Sequence, residues 1–132
     1  MVIDLDRFKS INDTFGHLTG DSVIRQTAQR LKNNLRSADL IARLGGEEFL
    51  VVLKDASVDR VRDIAERLRC EIAKRAFLTE CGQSIQLSAS IGVSVTKSSW
   101  RSSNEIIDNA DNALYCAKKA GRDRVNFSEK AA

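Results

Sequence analysis

At 132 residues the chain is long enough for one domain with a buried core and too short for two ordinary ones, and its 42% hydrophobic and 30% charged content excludes disordered and fibrous classes. The formal charge of +3, from 21 Lys and Arg against 18 Asp and Glu, is too small to point to nucleic acid, which is not an expected partner. Cys70, Cys81 and Cys116 form no C-x-x-C pair, no apolar run nears the roughly 20 residues that span a bilayer, and no secretory signal opens the chain, so the expectation is a cytoplasmic protein without disulfides, zinc or a membrane segment.

The first element is a buried strand over Val2–Leu5, which runs into Asp4 and Asp6 as though opening on a site. It begins without a polar lead-in, which reads as a fragment starting inside a fold. Ile24, Thr27, Ala28, Leu31 and Leu35 recur at helical spacing, predicting an amphipathic helix capped near Asp21 or Ser22, after a polar loop that carries His17. Residues 40–44 and 49–53 are strand-like and flank Gly45-Gly46-Glu47-Glu48, a hairpin signal. A second helix follows, with Val61, Ile64, Ala65, Leu68 and Ile72 on one stripe.

From Ile85 to Val95 apolar residues alternate strictly with Gln86, Ser88, Ser90, Gly92 and Ser94, predicting one long strand with a single face in the core. Ser102-x-x-Glu105 fits a capping box ahead of a helix carrying Ile106, Ala110, Ala113, Leu114 and Ala117, and Gly121 suits its C-terminus. A short strand over 124–127 closes the domain. The order strand, helix, hairpin, helix, strand, helix, strand implies an α+β fold, a mainly antiparallel sheet with helices packed on it.

Several residues could carry chemistry. Asp4 and Asp6 lie two apart on a strand, hence on one face; alone, the pair reads as a solvated strand end. Glu47 and Glu48 at a tight hairpin change that reading, because turns favour Asn or Asp there, and magnesium takes one or two protein carboxylates while leaving room for water and phosphates. Asp4 with Glu47 or Glu48 would satisfy it, and Gly45 and Gly46 let a nucleotide come close to the backbone. Asn12 and Asp21 could read the edge of guanine, although a turn and an N-cap are the plainer assignments. Lys118 and Arg122, four apart at the end of the last helix, either complement its dipole or reach a triphosphate.

Five blocks in order, Asp4-Leu5-Asp6-Arg7-Phe8-Lys9, Ile11-Asn12-Asp13-Thr14-Phe15-Gly16-His17, Gly20-Asp21, Ala42-Arg43-Leu44-Gly45-Gly46-Glu47-Glu48-Phe49 and the run from Ala110 to Arg122, make the chain resemble the GGDEF family of diguanylate cyclases. The resemblance implies a palm-like nucleotidyl cyclase fold in which two GTP molecules condense into cyclic di-GMP with release of two pyrophosphates. By position it implies Mg²⁺ or Mn²⁺ held by Asp4, Glu47, Glu48 and the Leu5 carbonyl, with Glu47, Glu48 and Lys9 as catalytic groups. Asn12 and Asp21 then read guanine, and Lys9, Lys118 and Arg122 hold phosphates.

A two-fold symmetric product made by reciprocal attacks implies a homodimer with one GTP per protomer. Arg36-Ser37-Ala38-Asp39 matches the family's inhibitory product-binding motif, with Arg67 as a second contact; otherwise these are a surface Arg and a strand-initiating Asp. The family's usual upstream helical segment is missing before Asp4, so residues 1–132 read as a single, N-terminally truncated domain whose activity in isolation is expected to be weak or absent. A non-catalytic module that senses cyclic di-GMP or GTP is the alternative function.

Overall fold

The computed structural model describes residues 1–95 and 102–128. In chain order they form β1 (Val2–Leu5), α1 (Phe8–Phe15), α2 (His17–Asn33), β2 (Leu40–Gly45), β3 (Glu48–Val52), α3 (Val58–Ala73), β4 (Phe77–Leu78), β5 (Ser84–Ile85), β6 (Ala89–Val93), α4 (Ser103–Lys119) and β7 (Val125–Phe127). The main sheet runs β2-β3-β1-β6-β7, antiparallel at every pairing except β6 with β7, and β4 and β5 form a separate two-stranded sheet. The expected α+β architecture stands.

Alternation along the strands sorts the core into two layers. Ile3 and Leu5 of β1, Phe49 and Val51 of β3 and Ala89, Ile91 and Val93 of β6 join the apolar stripes of α2 and α3 in the larger cluster. Val2 points the other way, onto Ala110 and Leu114 of α4, with Leu50 at the margin. Arg30 joins α2 to the end of α3: its guanidinium stacks 3.7 Å from the Phe77 ring centroid and donates to the carbonyls of Ile72, Arg75 and Ala76 at 3.1, 2.6 and 2.8 Å. Carbonyls at that helix end otherwise have no intrahelical partner.

Three expectations from the sequence need correction. The first helix does not begin at a cap near Asp21 or Ser22, and residues 8–17 are not a loop: α1 occupies most of that stretch and α2 starts at His17. Gly16, at φ 85°, makes the break between the helices, and no side chain caps α2. The long strand over 85–95 is also split. Ser84–Ile85 pairs with Phe77–Leu78, and only Ala89–Val93 enters the main sheet. Finally, β6 is not half-solvated, because all five of its residues are buried, Ser90 completely.

The polar face of β6 was small rather than wet. A Cβ at Gly92 would lie 2.0 Å from the Ala110 carbonyl oxygen and 2.3 Å from the Leu114 nitrogen, so α4 sits directly on the β6 backbone. The Ser102 hydroxyl accepts from the Glu105 N–H at 3.2 Å, as the capping box required, and Gly121, at φ 116°, follows the α4 C-terminus. Among the described residues no helix is long and apolar enough to cross a membrane. Gly92→Ala should therefore destabilise the domain by about 3 kcal/mol or more, since backbone rather than a side-chain tip must move. Thermal melting followed by circular dichroism measures it; an unchanged midpoint would mean that α4 does not press on β6.

Candidate functional site

The strand register fixes what meets at the end of the sheet. Val2 pairs with Leu50 on one side and Gly92 on the other, and two residues on, Asp4 pairs with Glu48 and Ser90. Both rows face α4, by the same alternation that turns Val2 toward it. Ala110, Leu114 and Lys118 lie four apart along α4, so one stripe of the helix follows β1: Ala110 and Leu114 cover Val2, and Lys118 Nζ reaches Asp4 Oδ2 at 2.9 Å. Sequence spacing alone had paired Lys118 with Arg122, not with Asp4.

The carboxylates crowd this corner. Burial pushes the Asp4 pKa above its ordinary 3.8, Lys118 opposes by hydrogen bond and charge, and Glu47 and Asp6 add to the rise. Burial likewise raises Glu48, with Asp4, Asp111 and Glu47 adding and Lys118 opposing. Asp111, on α4, is raised by burial and by Asp108. The sequence reading missed Asp111 as a neighbour of this corner; its signal was the position seven residues before Lys118, on the same helix face.

Asp6 has a different job from the one its spacing suggested. Its Oδ1 accepts from Ser90 Oγ at 2.7 Å, and its Oδ2 accepts from Ser88 Oγ at 2.7 Å and the Asp123 N–H at 3.1 Å. That carboxylate is committed to holding the β6 entry and the loop after α4 against β1. Ser88 and Ser90 are the partners that the alternating pattern hid.

The hairpin turn is Gly46-Glu47, because Gly45 already pairs with Glu48 after a register shift following Arg43. Gly46 adopts φ 51°, which only glycine takes freely. Arg43 Nε donates to the Gly46 carbonyl at 2.9 Å, and the Leu5 N–H donates to the Glu47 carbonyl at 3.3 Å, which ties the turn to the end of β1. Glu47 and Glu48 are half-buried.

The two helices after β1 present the remaining residues. Asn12 lies on α1 against Gly20 of α2, where an added Cβ would be 1.9 Å from Asn12 Oδ1, and that oxygen is buried without a hydrogen-bond partner. Asp21 follows Gly20 and is exposed. Asn12 is thus a helical residue rather than a turn former, and Asp21 is not an N-cap. Lys9 is exposed in the first turn of α1, and Arg122 is exposed beyond α4.

A second group lies apart from these, at the exit from α2. Arg36 N–H donates to Asp39 Oδ2 at 2.9 Å, Asp39 N–H donates to the Arg36 carbonyl at 3.0 Å, and Arg67 Nη2 reaches the Asn34 carbonyl at 2.9 Å from α3. The fold brings the three expected residues to one neighbourhood. Among the described residues, no group of three or more His, Cys, Asp or Glu side chains is gathered closely enough to hold a metal ion by itself. The donors at Asp4 and Glu48 are nevertheless hard oxygens with raised pKa values, an arrangement that a cation relieves.

Known proteins share this arrangement of chain and fold. The family model for "Diguanylate cyclase, GGDEF domain" matches residues 1–124. Diguanylate cyclase A of Treponema denticola is 41% identical over 129 residues, 98% of this chain and 34% of that protein. Diguanylate cyclase DosC of Escherichia coli K12 is 42% identical over 127 residues, 96% of this chain and 27% of that protein. The chain thus spans about a third or less of these relatives' length. Among solved structures, the GGDEF domain of DgcB from Caulobacter crescentus, in complex with c-di-GMP, matches with a TM-score of 0.91 at 34% identity over 97% of this chain and 75% of that one. The active GGEEF domain of a diguanylate cyclase from Vibrio cholerae matches at 0.88 and 34%, over 97% and 80%.

Because folding raises the Glu48 pKa above 4.5, the native state holds that proton more tightly than the unfolded chain, and stability falls as pH rises through the window above 4.5. In a chelating buffer at neutral pH, Glu48→Gln should stabilise the domain by about 0.5 kcal/mol, after allowing for solvent screening of a half-buried group. The gain should vanish below pH 4.5, where Glu48 is protonated in both states. Urea titration at both pH values measures it, and a loss of stability at neutral pH would contradict the crowding described.

Proposed function

The chain belongs to the GGDEF family, and from that premise we propose that it is a diguanylate cyclase domain, joining two GTP molecules into cyclic di-GMP and releasing two pyrophosphates. The observation that carries this reading is the Glu48–Asp4 row with Lys118 against it, beside a glycine hairpin tied to the end of β1.

Asp4, Glu47, Glu48 and the Leu5 carbonyl are the oxygens that would hold Mg²⁺ or Mn²⁺. Such a cation, when bound, neutralises phosphate charge and favours ionisation of the attacking 3′-hydroxyl. The chain supplies the rest. Lys118 holds Asp4 and stands where a phosphate oxygen can compete for its ammonium, while Lys9 and Arg122, both exposed, add cations from α1 and from the loop after α4. Asn12 and Asp21 read the guanine edge; the unpartnered Asn12 Oδ1 is an acceptor awaiting a donor, which supports that role. Gly45 and Gly46 leave the hairpin backbone open to the nucleotide.

Two 3′-hydroxyls attack reciprocally, so two protomers face one another across a two-fold axis, each presenting one GTP. Cyclic di-GMP then binds at Arg36 and Asp39 with Arg67 and restrains turnover. The domain works in the cytoplasm.

The domain, carried in a longer chain with residues ahead of Met1, is incubated with GTP and Mg²⁺, and cyclic di-GMP and pyrophosphate are quantified. Glu47→Gln is expected to lower turnover by about a hundredfold or more while leaving the melting curve intact. Full turnover by that variant would overturn the assignment of the carboxylates. Nucleotide binding without product in the unmodified protein would favour a sensor module instead. Arg36→Ala should leave the initial rate unchanged and remove inhibition by added cyclic di-GMP.

A further inference from the structure

The loop after α4 holds a conformation that its own residues disfavour. Arg122 has φ 64° and Asp123 φ 44°, two consecutive left-handed residues of which neither is glycine. Such backbone persists only where neighbours hold it. Two groups hold Asp123. Its N–H donates to Asp6 Oδ2 at 3.1 Å, on a carboxylate already fixed by Ser88 and Ser90. Its Oδ1 accepts from Arg69 Nη1 of α3 at 2.6 Å, and Arg69 Nε is in turn aimed by Glu66 Oε2 at 2.8 Å.

Arg69 is the inner member of this network, and its partners Glu66 and Asp123 are each 50% exposed. The Arg69 side chain is 21% exposed, its fork is engaged by two carboxylates, and it joins residues 54 positions apart. Networks of that kind are worth more than isolated exposed ion pairs. The loop is also tied to its own helix, since the Arg122 N–H donates to the Ala117 carbonyl at 3.0 Å. Arg122 therefore stands between two fixed points, the last turn of α4 and the Asp123 clamp.

We infer that Arg69 is a positioning residue for the nucleotide: by clamping Asp123 it holds the left-handed turn that presents the Arg122 guanidinium to the β- and γ-phosphates of GTP. The inference rests on the proposed reading of Arg122 as a phosphate-binding residue. A staple that merely stabilised the domain would affect all nucleotides alike. A clamp acting through Arg122 discriminates by phosphate number, because GMP lacks the β- and γ-phosphates to which that guanidinium is presented.

The test uses 3′-deoxy-GTP, which cannot be cyclised, and GMP, each with Mg²⁺, in equilibrium dialysis against the protein and its variants. Arg69→Met, which keeps the aliphatic stem, should weaken 3′-deoxy-GTP about tenfold and leave GMP unchanged. Arg69→Lys should recover part of the loss. In an Arg122→Ala background, Arg69→Met should add nothing. Asp123→Ala, which retains the N–H bond to Asp6 but removes the acceptor for Arg69, should reproduce the selective loss and serves if Arg69→Met does not fold. Equal losses for both nucleotides, or full additivity with Arg122→Ala, would overturn the inference while leaving the proposed function standing. Failure of the unmodified protein to bind 3′-deoxy-GTP would overturn both.

Discussion

β1 is hydrogen-bonded along both edges and covered on both faces, and the placement of every group at the site depends on that constraint. A strand enclosed in this way cannot slip by a residue without turning Ile3 and Leu5 out of one layer and Val2 out of the other. The register that satisfies the apolar residues therefore also sets Asp4 opposite Glu48, beneath α4, and delivers Asp6 to the serines of β6. Carboxylates at this strand end are partly withdrawn from water because the apolar residues beside them must be.

The same enclosure explains the opposed electrostatics of Asp4 and Asp6. Asp6 meets two hydroxyls and a backbone N–H, three donors that hold its carboxylate in place. Asp4 meets one ammonium and three further carboxylates, Glu47, Glu48 and Asp6, so its charge is crowded. The first arrangement fastens the fold. The second leaves a demand for positive charge at this corner, which Lys118 meets only in part.

α4 converts packing into function by its phase. Gly92 and the run of small residues Ala110, Ala113 and Ala117 let the helix lie on the β6 backbone, and at that height the next residue of the stripe, Lys118, arrives level with Asp4. Shifting the helix by one residue would send a cation elsewhere. Arg30 and Arg69 act at a larger scale, fastening α2 to the end of α3 and α3 to the loop after α4, so that the layer behind the sheet and the loop beside the site are one connected body.

By itself the sequence determined most of the strands, the hairpin, the apolar stripes of α2, α3 and α4 and the capping box, and it singled out the candidate site residues, because periodicity and turn chemistry are local properties; it did not show that residues 8–15 are helical or that the strand over 85–95 is split. It misplaced the start of α2, since the break at Gly16 is a backbone conformation rather than a side-chain signal, and it read Ser88, Ser90 and Gly92 as a wet face, since small residues beneath a helix and polar residues beneath water alternate identically. Only the tertiary structure decided that Lys118 belongs with Asp4, that Asp6 meets Ser88, Ser90 and Asp123, and that Arg69 reaches Asp123. Those pairings join residues 54 to 117 positions apart, where strand register and helix phase, not spacing along the chain, determine which groups meet.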